Sequence, residues 1–132
     1  MLNARLRTAF IALPLFLAAL FYLPKTGWAL FLTPWLLIGA WEWAVLAKWS
    51  LVARTCYVLI LAALSLVFGM LVVAPAHVPA EITLYAIVMI FWLLVAPLWL
   101  ARGWRVDHPL VLALTGIILL LPLWLALVQL QR

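Results

Sequence analysis

Residues 109–131 run without a single Asp, Glu, Lys or Arg. A helix needs about 20 predominantly apolar residues to cross the hydrocarbon core of a bilayer. Four more apolar runs precede this one, separated by short polar breaks. Backbone groups in lipid have no water to bond, so each run must satisfy its own N–H and C=O groups as a helix. The sequence predicts an all-α, polytopic transmembrane bundle of five spans, approximately 8–23, 28–47, 56–74, 82–100 and 110–128. Composition agrees, with 72% apolar and 8% charged residues, where a soluble domain is about half apolar and a quarter charged. The 132 residues leave no stretch for a separate soluble domain, so 1–132 reads as a single transmembrane domain.

The breaks carry their own signals. MLNARLR followed by an apolar run mimics a signal peptide. No small-x-small cleavage pattern follows it, and the segment reads as a retained first span. That span is short, and Arg5 and Arg7 would lengthen it by reaching to the headgroups. Pro24, Lys25, Thr26 and Gly27 suggest a tight turn. Residues 48–54 form a short basic link. Residues 75–79, PAHVP, form a stiff turn with a helix-stopping proline at each end. Pro97 predicts a kink near the end of the fourth span, and 102–108 is the longest polar loop. Pro109 opens the fifth span, with Asp107 or His108 as its N-cap. Ser65/Gly69 and Ala40/Ala44 have the small-xxx-small spacing that lets helices approach closely.

The net charge is +5, but the basic residues are scattered. A nucleic-acid groove needs them clustered, so no nucleic-acid partner is expected. Basic residues in short loops set membrane orientation instead. With the N-terminus inside, Arg5, Arg7, Lys48, Arg54, Arg102 and Arg105 lie on the cytoplasmic side, where they would contact anionic lipid headgroups. Lys25 and Arg132 lie on the other side. This favours a cytoplasmic N-terminus in a bacterial inner membrane. Trp41, Trp43, Trp49, Trp99 and Trp104 would form a cytoplasmic aromatic belt, Trp28 and Trp124 an opposite one. Trp35 and Trp92 fall nearer mid-span, where packing is expected.

The inventory for chemistry is thin. The acids are Glu42, Glu81 and Asp107, and the histidines are His77 and His108. Glu81 and His77 fall toward one face, Asp107 and His108 toward the other. The lone Cys56 offers no internal disulfide and no metal site, and reads as a small apolar residue near a helix start. There is no glycine-rich phosphate loop and no nucleophile elbow. Asp107-His108 reads as a cap and a loop residue rather than a catalytic dyad. Scarce polar groups within the spans also argue against a transport pathway. Glu42, in GAWEWAVLAKWS, is the exception. A carboxylate inside a span is costly and by default marks function, which makes it a weak candidate for substrate binding. Close to a helix end, it reads first as a boundary residue paired with Lys48, Arg54 or an N-terminal arginine, and otherwise as a clamp to another helix. A magnesium pair of Glu42 with Asp107 is conceivable.

Three stretches carry a family resemblance: ARLRTAFIALPLFLAALFYLP, KTGWALF and LLIGAWEWAVLA. Together they resemble the N-terminus of bacterial phosphatidate cytidylyltransferase (CDP-diglyceride synthase). That family begins with a basic segment ending in (Ser/Thr)-Ala and a proline-containing apolar helix. A Leu-Pro-x-x-Gly-(Phe/Trp)-Ala turn and a helix ending in Ala-Trp-Glu-Trp follow. The corresponding elements here are 5–9, Pro14, 23–29 and 40–43. The resemblance covers about the first 50 residues and continues only as a similar hydropathy pattern.

It implies a membrane enzyme of phospholipid biosynthesis that transfers cytidylyl from CTP to phosphatidate with Mg²⁺, releasing diphosphate. The family's catalytic segments are a Lys-rich, Ser-containing stretch and a His-Gly-Gly-x-x-Asp-Arg-x-Asp signature. Neither has a counterpart in these residues, which contain no Gly-Gly pair and only one Asp, Asp107. No catalytic residue is carried over, and no metal site is assigned within the chain. The expectation is a truncated or split family member, the N-terminal membrane half, inactive alone. Its partners would be membrane lipids and a separate catalytic half or further copies of itself. The alternative is a non-enzymatic scaffold or lipid-binding partner derived from that family.

Overall fold

The computed structural model describes residues 2–73 and 78–131, with side chains described outside 71–81. The described residues are mostly helical and contain no strand. Helices are α1 (Leu2–Tyr22), α2 (Lys25–Leu46), α3 (Leu51–Val73), α4 (Val78–Ile90), α5 (Ala96–Arg102) and α6 (Pro109–Leu130), with a π-helical turn, Phe91–Val95, joining α4 to α5. Five helical stretches are long and apolar enough to cross a membrane: α1, α2, Leu51–Met70 of α3, Ile82–Arg102 through the π turn, and α6. The chain is a multi-pass helical bundle.

The links are shorter than the sequence suggests. The turn expected over 24–27 is corrected, because Lys25 already belongs to α2. Pro24 is the extended N-cap, and its carbonyl accepts the Trp28 N–H at 2.9 Å. The basic link expected over 48–54 shrinks to 47–50, and Arg54 lies in α3. Local hydrogen bonds explain both ends of that link. The Trp49 N–H reaches back to the Ala44 carbonyl at 3.2 Å and the Lys48 N–H to Val45 at 3.0 Å. This pairing is the Schellman closure of a helix C-terminus. Lys48 takes the left-handed position, at φ 58°, where glycine is usual. Ser50 then caps α3, its Oγ accepting the Ala53 N–H at 3.3 Å.

Two of the expected proline effects take a different form. Pro97 has no N–H, and its ring crowds the carbonyl four residues back, at Leu93. A π turn lies around Leu93, where the Ala96 N–H reaches the Phe91 carbonyl. Residues 75–77 of the expected stiff turn lie outside the described residues, and Val78 and Pro79 already belong to α4. His108 is the N-cap of α6, but no side chain there makes a capping bond.

The core is built from α2, α3 and α6, which pack on one another; α1 packs on α2, and α4 on α6. Ala40 and Ala44 are fully buried on α2. Between apolar helices in lipid, close van der Waals contact replaces hydrophobic driving force, and small side chains permit it. Trp28 and Trp124 are corrected from belt to core, at 2% and 4% exposure. Trp35, expected to pack, sets its ring 5.3 Å from that of Phe16 on α1 while its other side stays exposed, and Trp92 is more than half exposed.

Candidate functional site

Polar contacts at membrane depth are few, and they converge on α6. The Trp28 Nε1 donates to the Leu127 carbonyl at 2.8 Å. The Trp43 Nε1 donates to Leu112 at 2.9 Å, and the Tyr57 hydroxyl to Ala113 at 3.1 Å. These bonds fix the antiparallel register of α2 on α6. They also define two ends: Trp43, Tyr57 and the 47–50 link at one, Lys25 and Trp28 at the other. Gly116 makes the first set possible. A Cβ there would overlap the Tyr57 hydroxyl and stand 2.6 Å from the Trp43 Nε1.

At the link end a pocket of about 260 Å³ is lined by Trp43, Lys48, Val106, Asp107 and Leu112, among others. Here the structure brings together Lys48, one of the expected headgroup contacts, and Asp107. Glu42 is not among the lining residues; it is exposed on α2, beside Trp41. Arg54 turns to its own link, donating Nε to the Trp49 carbonyl at 2.8 Å. Arg102 stacks on Trp104 at 5.3 Å, and the Trp99 Nε1 donates to the Trp104 carbonyl at 2.7 Å. Arg5, Arg7 and Arg105 are exposed. Arg132 and the side chain of Glu81 lie outside the described residues. Magnesium requires oxygen ligands, chiefly carboxylates. Among the described residues no group of three His, Cys, Asp or Glu side chains assembles. Asp107 shares its pocket with the Lys48 ammonium.

The second feature is a cleft of about 340 Å³ between α2, α3 and α6, at the opposite end. Ala29, Leu66, Gly69, Met70 and Val128 contribute apolar wall, and Lys25 and Thr26 stand where α2 begins. Ser65 lines it and is itself buried, its hydroxyl donating to the Ala62 carbonyl at 2.8 Å. Trp124 also lines it, and its buried Nε1 has no acceptor among the described residues. The volume lies in the range of small-ligand sites, which are typically apolar with a few polar groups.

Sequence reasoning missed this cleft. Its walls come from residues about 40 and 100 positions apart, and such pairing has no local signature. A weaker signal was present: a tryptophan within an apolar span needs an acceptor for its N–H. No protein-family model matches the chain, and no solved structure matches it.

Proposed function

We propose that this multi-pass protein is a lipid-binding membrane module of the phosphatidate cytidylyltransferase kind. It holds lipid among its helices while nucleotidyl transfer belongs to a separate catalytic half. The resemblance of the first 50 or so residues supports that lineage. The observation that carries lipid binding is the apolar cleft between α2, α3 and α6, with one ammonium, Lys25, among its lining residues. Nucleotidyl transfer needs cations against the triphosphate and carboxylates to hold the metal. The carboxylates Glu42 and Asp107 do not share one pocket.

The test has two arms. Purified in mild detergent, the protein is expected to retain lipid detectable by extraction and mass spectrometry. Supplied with CTP, Mg²⁺ and phosphatidate, it is expected to form no CDP-diacylglycerol. Product formation by the isolated chain would overturn the division of labour, and a lipid-free preparation would overturn the binding role.

A further inference from the structure

We infer that the cleft at the Lys25 end is a site for an anionic phospholipid, seated with its phosphate at Lys25 and an acyl chain along the α3–α6 wall. This rests on the lipid-binding reading and specifies its ligand and its place.

Three observations carry it. The first is shape and polarity: about 340 Å³ of mainly apolar wall, entered beside a cation at the end of a helix. The second is the position of Lys25 itself. It occupies the first turn of α2, where the helix dipole disfavours a cation. Helix stability gives no reason for a lysine there, whereas a bound phosphate would be attracted by both the ammonium and the helix end.

The third is Trp124. The indole N–H groups of Trp28 and Trp43 are satisfied by backbone carbonyls of α6. That of Trp124, 4% exposed, has no acceptor among the described residues. A buried donor without a partner costs about 1–3 kcal/mol, and no water enters from the hydrocarbon core. With α2 and α6 antiparallel and Trp28 level with Leu127, Trp124 lies about 9 Å deeper than Lys25 at 1.5 Å per residue. A phospholipid offers its phosphate at the surface, ester oxygens beneath and methylenes below those. Lys25 stands where the phosphate would lie, and Trp124, with Leu66 and Gly69 beside it, lines the wall beneath, where the ester oxygens and first methylenes would lie.

The protein is reconstituted in bilayers of equimolar phosphatidylglycerol and phosphatidylcholine, then released for native mass spectrometry. Bound phosphatidylglycerol should exceed phosphatidylcholine by about fivefold, the effect of one basic residue near a membrane surface. In Lys25→Glu, an exposed position, the preference should vanish while lipid remains bound. Gly69→Leu pushes a side chain toward Trp124 and should abolish bound lipid. For a readout independent of that variant's folding, the unaltered protein is also crosslinked with a phosphatidylglycerol carrying a photoactivatable acyl chain. Adducts are expected on residues 65–70 and 124–128. No bound lipid would overturn both this site and the lipid-binding role. Bound lipid whose preference survives Lys25→Glu, or adducts confined to other helices, would overturn the site alone.

Discussion

Gly116 shows how one residue can decide the packing of three helices. Its missing side chain leaves room for the Tyr57 hydroxyl and the Trp43 indole to reach the α6 backbone. Gly116→Val should cost about 2–3 kcal/mol through overpacking and the loss of both bonds. A lowered unfolding midpoint in detergent would register it, and an unchanged midpoint would mean that α6 sits elsewhere. Lys48 is the opposite case, a side chain where glycine would be easier. An L-residue in the left-handed region carries roughly 1–2 kcal/mol of strain, so Lys48→Gly should raise stability by about 1 kcal/mol. The same midpoint measurement checks it. That this cation persists in a strained position beside Asp107 suits a role in the pocket that it lines.

Among elements, the broken fourth span and the end of α6 are the informative ones. If Pro97 drives the π turn, Pro97→Ala should let α4 and α5 merge into one α-helix. Hydrogen exchange of the 91–96 amides would then slow, whereas unchanged exchange would assign the turn to packing. At the other end, the Gln131 Nε2 donates to the carbonyls of Leu20, at 2.8 Å, and of Leu23. Pro24 has no N–H to offer the Leu20 carbonyl, so the side chain of a distant glutamine fills the gap. Gln131→Leu should cost about 1 kcal/mol and loosen α1, visible as faster exchange near Leu23. The existence and order of the spans were legible in the sequence because lipid allows an apolar run almost one conformation. The ends were less so. The left-handed Lys48 carries no glycine signal, and Pro24 caps a helix that composition placed three residues later. Trp28 reads as a belt residue because its acceptor, the Leu127 carbonyl, lies on another helix, and Trp124 because the helices that bury it are distant in sequence.

For the whole molecule, the expected orientation places the Lys48 and Asp107 end in the cytoplasm and the Lys25 cleft on the opposite side. A cytoplasm-active reporter fused after Arg132 should stay silent and an export-active one should signal. The reverse pattern would invert the membrane placement of both pockets. The core of α2, α3 and α6 also brings the second span against the last one. That arrangement imposes a delay during synthesis. Trp43 and its acceptor, the Leu112 carbonyl, are 69 residues apart. At about 5–20 residues per second, the ribosome needs roughly 3–14 s to make the intervening chain. Through that interval the indole N–H of a helix already in the bilayer has no native acceptor. A factor that shelters half-made membrane proteins would find its natural client in this window, between the second helix and the sixth.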